Sequence, residues 1–187
     1  MDGERPARRI VLVEGLSDAG AVHALAARGG HDLAAEGIAV TPMGGATNIG
    51  RYLARFGPPG LGVPVAGLCD AGEEPDFRRG LERAGLGSDL AQAGFFVCVA
   101  DLEDELIRAT GEAAMTRLIE VQEDSKPWRA FRRQQAWHGR PVDQQMHRFI
   151  RSVSERNGRY IRAMVEAMDP SVLPRPLRLL LGYVQPG

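Results

Sequence analysis

RIVLVEGLSDAGAVHAL, residues 9–25, changes its hydrophobic period part-way along. Arg9 to Gly15 is a short apolar run closed by glycine, the pattern of a strand covered on both faces. From Asp18 to Arg28, Ala21, Val22, Leu25 and Ala26 recur at helical spacing, with Ser17 as the expected N-cap. A buried strand thus turns directly into a helix, and Glu14 is left where the strand ends.

The same alternation continues outward from this stretch. Ile38–Gly45 (IAVTPMGG) reads as a second strand and Thr47–Phe56 as a helix capped by Thr47. Val63–Asp70 (VPVAGLCD), the helix Glu74–Ala84 and the strand Gly94–Ala100 (GFFVCVA) follow. Strands this apolar, alternating with helices, predict a Rossmann-like α/β fold with a mostly parallel four-stranded sheet flanked by helices. Ligand sites in such sheets lie outside the carboxyl ends of the strands. From Asp101 onward the strand signal stops. Asp101–Glu123 reads as one or two helices, and helical spacing then carries through Val142, Met146, Phe149, Ile150 and Val153 and through Ile161, Met164, Val165 and Met168. A last short helix carries Leu177, Leu180, Leu181 and Val184. The expected organisation is an α/β domain over 1–123 and a basic C-terminal helical extension over 124–187 packed on it, with Asp124–Pro127 as linker.

Composition narrows the class. The chain of 187 residues is 44% hydrophobic and 25% charged, ordinary for a globular protein. It has no apolar run long enough to span a bilayer, and Met1–Arg9 lacks the apolar core of a signal peptide, so a cytoplasmic location is expected. Cys69 and Cys98 lie in apolar runs and read as reduced core thiols; no Cys/His spacing suggests zinc. Net charge is −1, yet Lys126–Arg162 holds ten Lys/Arg against two Asp/Glu. An acidic part beside a basic part fits a metal site next to an anion-binding surface, or simply a solvated helical face.

The acids gather at one edge of the predicted sheet. Glu14 ends the first strand, with Asp18 one turn on. Asp70 ends the third, with Glu73, Glu74 and Asp76 after it. Asp101, Glu103, Asp104 and Glu105 follow the fourth. Pooled carboxylates repel one another, and a hard cation such as Mg²⁺ or Mn²⁺ removes that cost. Helix-dipole placement accounts equally for Asp18, Glu73, Asp104 and Glu105, but not for Glu14 and Asp70, which terminate apolar strands.

Three motifs carry a family resemblance. VLVEGLSDAGAVHAL resembles the opening motif of TOPRIM domains, and VAGLCDAGEEPDF the second. EGLSD, followed by GGATNIG and ADLEDEL, is similar to the TOPRIM part of overcoming-lysogenization-defect (OLD) family nucleases over roughly Arg9–Leu106. The resemblance implies a TOPRIM fold and Mg²⁺- or Mn²⁺-dependent hydrolysis of phosphodiesters in DNA. It implies Glu14 as metal ligand or general acid/base, Asp18 as the acid OLD nucleases add, Asp70 as the first acid of Asp-X-Asp, and Glu103 as an acid after the fourth strand.

Two departures matter. Gly72 stands where the second Asp is expected, so Glu73, Glu74 or Asp76 must substitute. The basic residue expected in the C-terminal segment, often lysine, is represented by Arg159 and Arg162, which stabilise phosphate charge but cannot act as a base. No GxxxxGK[ST] loop occurs, so ATP hydrolysis is not expected, and the chain acts alone, including as a homodimer, or with a separate ATPase chain. The alternatives are a catalytically weakened nucleic-acid-binding or regulatory module, and a phosphotransfer enzyme for small molecules.

Other features have two readings each. Gly44-Gly45-Ala46-Thr47-Asn48 is either a phosphate-binding turn or a tight strand-to-helix turn. Trp128, Phe131 and Trp137 alternate with arginines; with Lys126, Arg129, Arg132, Arg133 and Arg140 they form a nucleic-acid surface, or the aromatics pack inward and the arginines face water. His23, His31, His138 and His147 show no ligand spacing.

Overall fold

A computed structural model describes residues 7–185; the reading of the extreme N-terminus falls partly outside them. Four strands, β1 (Arg9–Val13), β2 (Ile38–Pro42), β3 (Val65–Asp70) and β4 (Phe95–Cys98), form one sheet in the order β2-β1-β3-β4. Every pairing is parallel. Helices α1 (Leu16–Arg28), α2 (Ile49–Phe56) and α3 (Glu74–Arg83) make the crossovers. The sheet is therefore the parallel α/β sheet expected.

Alternation along the strands explains its two covers. Ile10 and Leu12 share a buried cluster with Val65, Cys69 and Phe95, and with Ile49 and Leu53 of α2 and Phe77 and Leu81 of α3. Phe77 meets Phe95 edge-on at 5.6 Å between centroids. Val11 and Val13 point the other way and are fully buried. That side is covered by α1, through Ala21, Val22 and Leu25, and by α9 (Arg175–Val184), which lies on β3 and β4. Phe96 meets Tyr183 of α9 edge-on at 6.0 Å. Gly67 permits the close approach of β3: a Cβ there would collide with the Leu12 carbonyl and the Phe95 ring.

The chain divides into two compact units. The first is the sheet with α1–α3, reaching Asp101 and resuming at Arg175 with α9; the second is Leu102–Pro174. In this division α9 groups with the sheet. In the second unit α4 (Leu102–Thr110), α5 (Glu112–Val121), α6 (Ser125–Arg132), α7 (Val142–Arg151) and α8 (Ser154–Ala167) close over Leu106, Met115, Met146, Ile150, Tyr160 and Met164.

Residues 124–127 are not a linker. Asp124 is buried at the N-cap of α6, and its Oδ2 accepts from Arg159 Nη2 at 2.8 Å, with Arg156 Nε at 3.4 Å. Pro127 lies in the first helical turn, where its missing N–H has no intrahelical partner to lose.

Candidate metal centre

β1 and β3 are neighbours, and the chain leaves β1 for β2 on one side and reaches β3 on the other. The crevice at such a reversal is where parallel sheets offer ligand sites. The β1–β3 register pairs Leu12 with Gly67, so two residues further Glu14 falls beside Cys69, next to Asp70. Strand pairing alone therefore brings the first two acids together.

The turn after β2 fixes Glu14 in place. Met43 N–H donates to the Val13 carbonyl at 2.8 Å, and Gly44 and Gly45 N–H donate to the Glu14 carbonyl at 2.9 and 3.3 Å. Asn48 Nδ2 ties the turn by donating to the Met43 and Gly44 carbonyls at 3.0 and 3.2 Å. Gly44 and Gly45 take φ of 72° and 121°, which side chains disfavour. The glycine pair is thus the tight turn of the two readings, its amides already engaged. Thr47 lies within a 3₁₀ turn, Ala46–Asn48, rather than capping α2.

Ser17 does not cap α1 either. Gly15 is the N-cap residue, and Asp18 Oδ2 accepts from its N–H at 2.9 Å. Asp18 is the acid of a one-sided capping box, a structural duty that leaves its charge near the site.

After β3, the 3₁₀ turn Ala71–Glu73 brings the third acid round. Glu14, Asp70 and Glu73 each offer an oxygen within 4.8 Å of the others. Glu74 instead accepts from Arg78 Nη2 at 2.8 Å, and Asp76 pairs with Arg79. Of the residues able to replace the acid lost at Gly72, the fold turns Glu73 toward Glu14 and Asp70 and neutralises the other two with arginines one turn on.

The electrostatics are those of a site lacking a countercharge. Burial pushes the Asp70 carboxyl up to about 8, with further upward pressure from Asp101, Glu73, Glu14 and Asp18. Glu73 is also raised, by burial and then by Glu14, against a lowering hydrogen bond from the Asp70 backbone. Its Oε2 is buried without a hydrogen-bond partner among the described residues. A buried carboxylate oxygen left without a donor is costly, and a cation is the partner that suits it. The donor set, all oxygen, fits Mg²⁺ or Mn²⁺. Burial, followed by Glu74, Asp70 and Glu73, pushes the Cys69 thiol up to about 12, so it is not a nucleophile.

Asp101 stands among the acids after the fourth strand in the sequence, but the family resemblance assigns Glu103 to the site. It is 6% exposed and exerts the largest charge effect on Asp70. The signal was present: Asp101 is the first acid after an apolar strand, the same position that marks Asp70. Glu103 lies in the second unit, buried on α4, where it accepts from Asn157 Nδ2 at 2.6 Å. Arg159 donates to Asp124 and to the Gln122 carbonyl, the latter at 3.1 Å, while Arg162 is exposed. Trp128, Phe131, Trp137 and Phe149 pack against one another with centroids 5.1–5.9 Å apart, Phe131 stacked on both tryptophans and Phe149 inclined to its neighbours, so these aromatics pack mainly together. Lys126, Arg129, Arg132, Arg133 and Arg140 are exposed. No described helix is long and apolar enough to cross a membrane.

Comparison with known proteins agrees with this fold. Residues 7–71 match the family described as overcoming lysogenization defect protein-like, TOPRIM domain. No curated protein matches the chain in sequence. Among solved structures, the C-terminal region of the Burkholderia pseudomallei OLD protein superposes with a TM-score of 0.73 at 23% identity, over 95% of this chain and 96% of that one. Two structures of the C-terminal region of the Xanthomonas campestris pv. campestris OLD protein give TM-scores of 0.75 and 0.74 at 25% and 27% identity. These cover 95% of this chain and 92% and 94% of theirs. The fold is that of OLD C-terminal regions, and residues 7–71 carry its TOPRIM signature.

Proposed function

From an OLD-type TOPRIM fold as premise, we propose that the chain is a divalent-metal-dependent nuclease that hydrolyses phosphodiester bonds in DNA. Glu14, Asp70 and Glu73 are the ligands of one cation, and Asp101 the acid that keeps the site negative. Two observations on Glu73 support this best: it offers an oxygen within 4.8 Å of carboxylate oxygens from two neighbouring strand ends, and its Oε2 is buried with no hydrogen-bond partner among the described residues. A cation there supplies Lewis acidity to a bound phosphate and neutralises the pooled charge.

The chain's residues divide the remaining work. Asp18 holds the start of α1 beside Glu14. Glu74, paired with Arg78, is no longer needed as a ligand. Glu103 is a further acid of the reading. Arg162, exposed, is freer to meet a phosphate than Arg159, which Asp124 engages. The basic side chains of the second unit hold the DNA backbone. No phosphate loop occurs in the 187 residues, so any ATPase coupled to this site comes from outside them. The working compartment of this reading is the cytoplasm.

A second reading, a binding module with weakened chemistry, draws on Gly72 in place of an acid and on the engagement of Arg159 by Asp124. Plasmid nicking in Mn²⁺ or Mg²⁺ separates the two. Activity that needs metal and disappears in Glu14→Ala, Asp70→Ala and Glu73→Ala is expected of the nuclease. Salt-sensitive DNA binding with no nicking in either metal would overturn it in favour of the module.

A further inference from the structure

Residues 125–142 contain Lys126, Arg129, Arg132, Arg133 and Arg140 and no Asp or Glu. In α3 and α4, by contrast, several arginines have acids one turn away: Arg78 has Glu74, Arg79 has Asp76, and Arg108 has Asp104 and Glu105. Arg129, Arg132 and Arg133 occur at helical spacing, which puts like charges side by side at a cost that no acid of this segment offsets. They line an open cleft of about 470 Å³.

One of the three is held in a set orientation. Arg132 Nε donates to Gln145 Oε1 at 2.9 Å, and its guanidinium stands 5.6 Å from the Trp128 ring centroid. Gln145 is 5% exposed, a buried amide with every polar group committed. Its Nε2 donates to the Trp137 carbonyl at 3.2 Å and the Arg140 carbonyl at 2.7 Å. The bond to this buried amide orients Arg132 while the arginine itself stays exposed. The arrangement leaves both terminal nitrogens of Arg132 without a hydrogen bond to any described residue. The Arg129 and Arg133 side chains likewise have no ion pair among the described residues. A planar guanidinium fixed at Nε and free at both ends presents the fork that matches two oxygens of a phosphate.

We propose that the cleft of Arg129, Arg132 and Arg133 seats one phosphate group of a nucleic acid, with Gln145 as the positioning residue that orients Arg132. The inference rests on the reading of DNA as substrate but not on the metal centre. Lys126 and Arg140 are not part of the seat; Arg140 donates to the Ala136 carbonyl at 3.0 Å and lies over Trp137. The phosphate comes from an internal phosphodiester or from a strand terminus, two sources of one chemistry.

The test is fluorescence anisotropy of the full chain in EDTA, with labelled oligonucleotides bearing either a 5′-phosphate or a 5′-hydroxyl. Arg132→Ala is expected to weaken binding about tenfold and to lower the slope of log K against log salt by about 0.7–0.9, one phosphate contact. Arg132→Lys is expected to recover the salt slope but not the affinity, since a lysine cannot take the Gln145 bond at Nε or present the fork. Gln145→Met is expected to weaken binding several-fold at an unchanged slope. If that variant fails to fold, Arg132→Lys decides. An equal loss with both oligonucleotides assigns the seat to an internal phosphodiester; a loss confined to the 5′-phosphate assigns it to a terminus. Wild-type affinity in Arg132→Ala or in Arg132→Lys, or no DNA binding by the wild-type chain, overturns the proposal. Nicking by wild type with unchanged binding in Arg132→Ala removes the seat and leaves the nuclease. Lost binding in Arg132→Ala without nicking by wild type in any metal does the reverse.

Discussion

At the scale of single residues, Asp70 and Glu73 decide what the site can hold. The folded protein without metal keeps the Asp70 carboxyl up to about 8, above its unfolded value near 3.9. Between those two values the folded state binds the extra proton, so the contribution of Asp70 to stability is fully present below about pH 4, falls as pH rises toward 8, and is lost beyond. Thermal melts in EDTA from pH 5 to pH 9 are expected to decline, and Asp70→Asn to flatten the decline; a wild-type melt that rises over this range would contradict the assignment. A cation must displace the same proton, so its affinity falls about tenfold for each pH unit below 8. The neighbouring glutamates give a paired control. Glu73→Gln is expected to weaken Mn²⁺ binding at least about tenfold by calorimetry, since it removes a charged ligand. Glu74→Gln loses only an exposed ion pair within α3, worth about 0.3–0.5 kcal/mol, and should bind Mn²⁺ as wild type does. Equal losses in the two variants would remove Glu73 from its special place.

At the scale of elements, the turn Gly44–Gly45 is a support for the carboxylate after β1. Gly45 has open space where a methyl group would stand, so Gly45→Ala meets backbone strain rather than collision. That strain is expected to cost about 1–3 kcal/mol in urea unfolding and to weaken metal binding by shifting Glu14. Full stability with unchanged Mn²⁺ affinity would show that the turn does not position it. Here too lies the limit of what the sequence could tell. Glu14 and Asp70 were legible because each closes an apolar strand, and the parallel sheet followed from four such strands alternating with helices. The choice of Glu73 over Glu74 depends on the sense of a three-residue 3₁₀ turn, which no periodicity encodes. Ser-Lys-Pro at 125–127 has the composition of a linker, yet the proline occupies the one helical turn that tolerates it, and Asp124 is buried through arginines more than thirty positions away. Likewise Ser17 and Thr47 look like caps, but Gly15 with Asp18 starts α1 and Asn48 holds the N-cap position of α2.

At the scale of the whole molecule, the proposed cation links charge to stability. Mn²⁺ at a hundred times its dissociation constant stabilises a single-site protein by about 2.7 kcal/mol. For a chain of this size that is a rise in Tm of about 5–10 °C, to be read by differential scanning calorimetry. Glu14→Ala should abolish the rise, and a rise of equal size in that variant would place the cation elsewhere. The docking of α9 against β3 and β4 was beyond sequence reading, because an amphipathic helix does not say which sheet it will cover. It carries a consequence for biosynthesis. Arg9 donates to the Tyr183 carbonyl at 2.6 Å, so the first strand and the last helix are secured to each other across nearly the whole chain. Synthesis must therefore run through Val184 before β3 and β4 receive α9, and until then the Phe96 ring lacks its Tyr183 partner and stands open to chaperones.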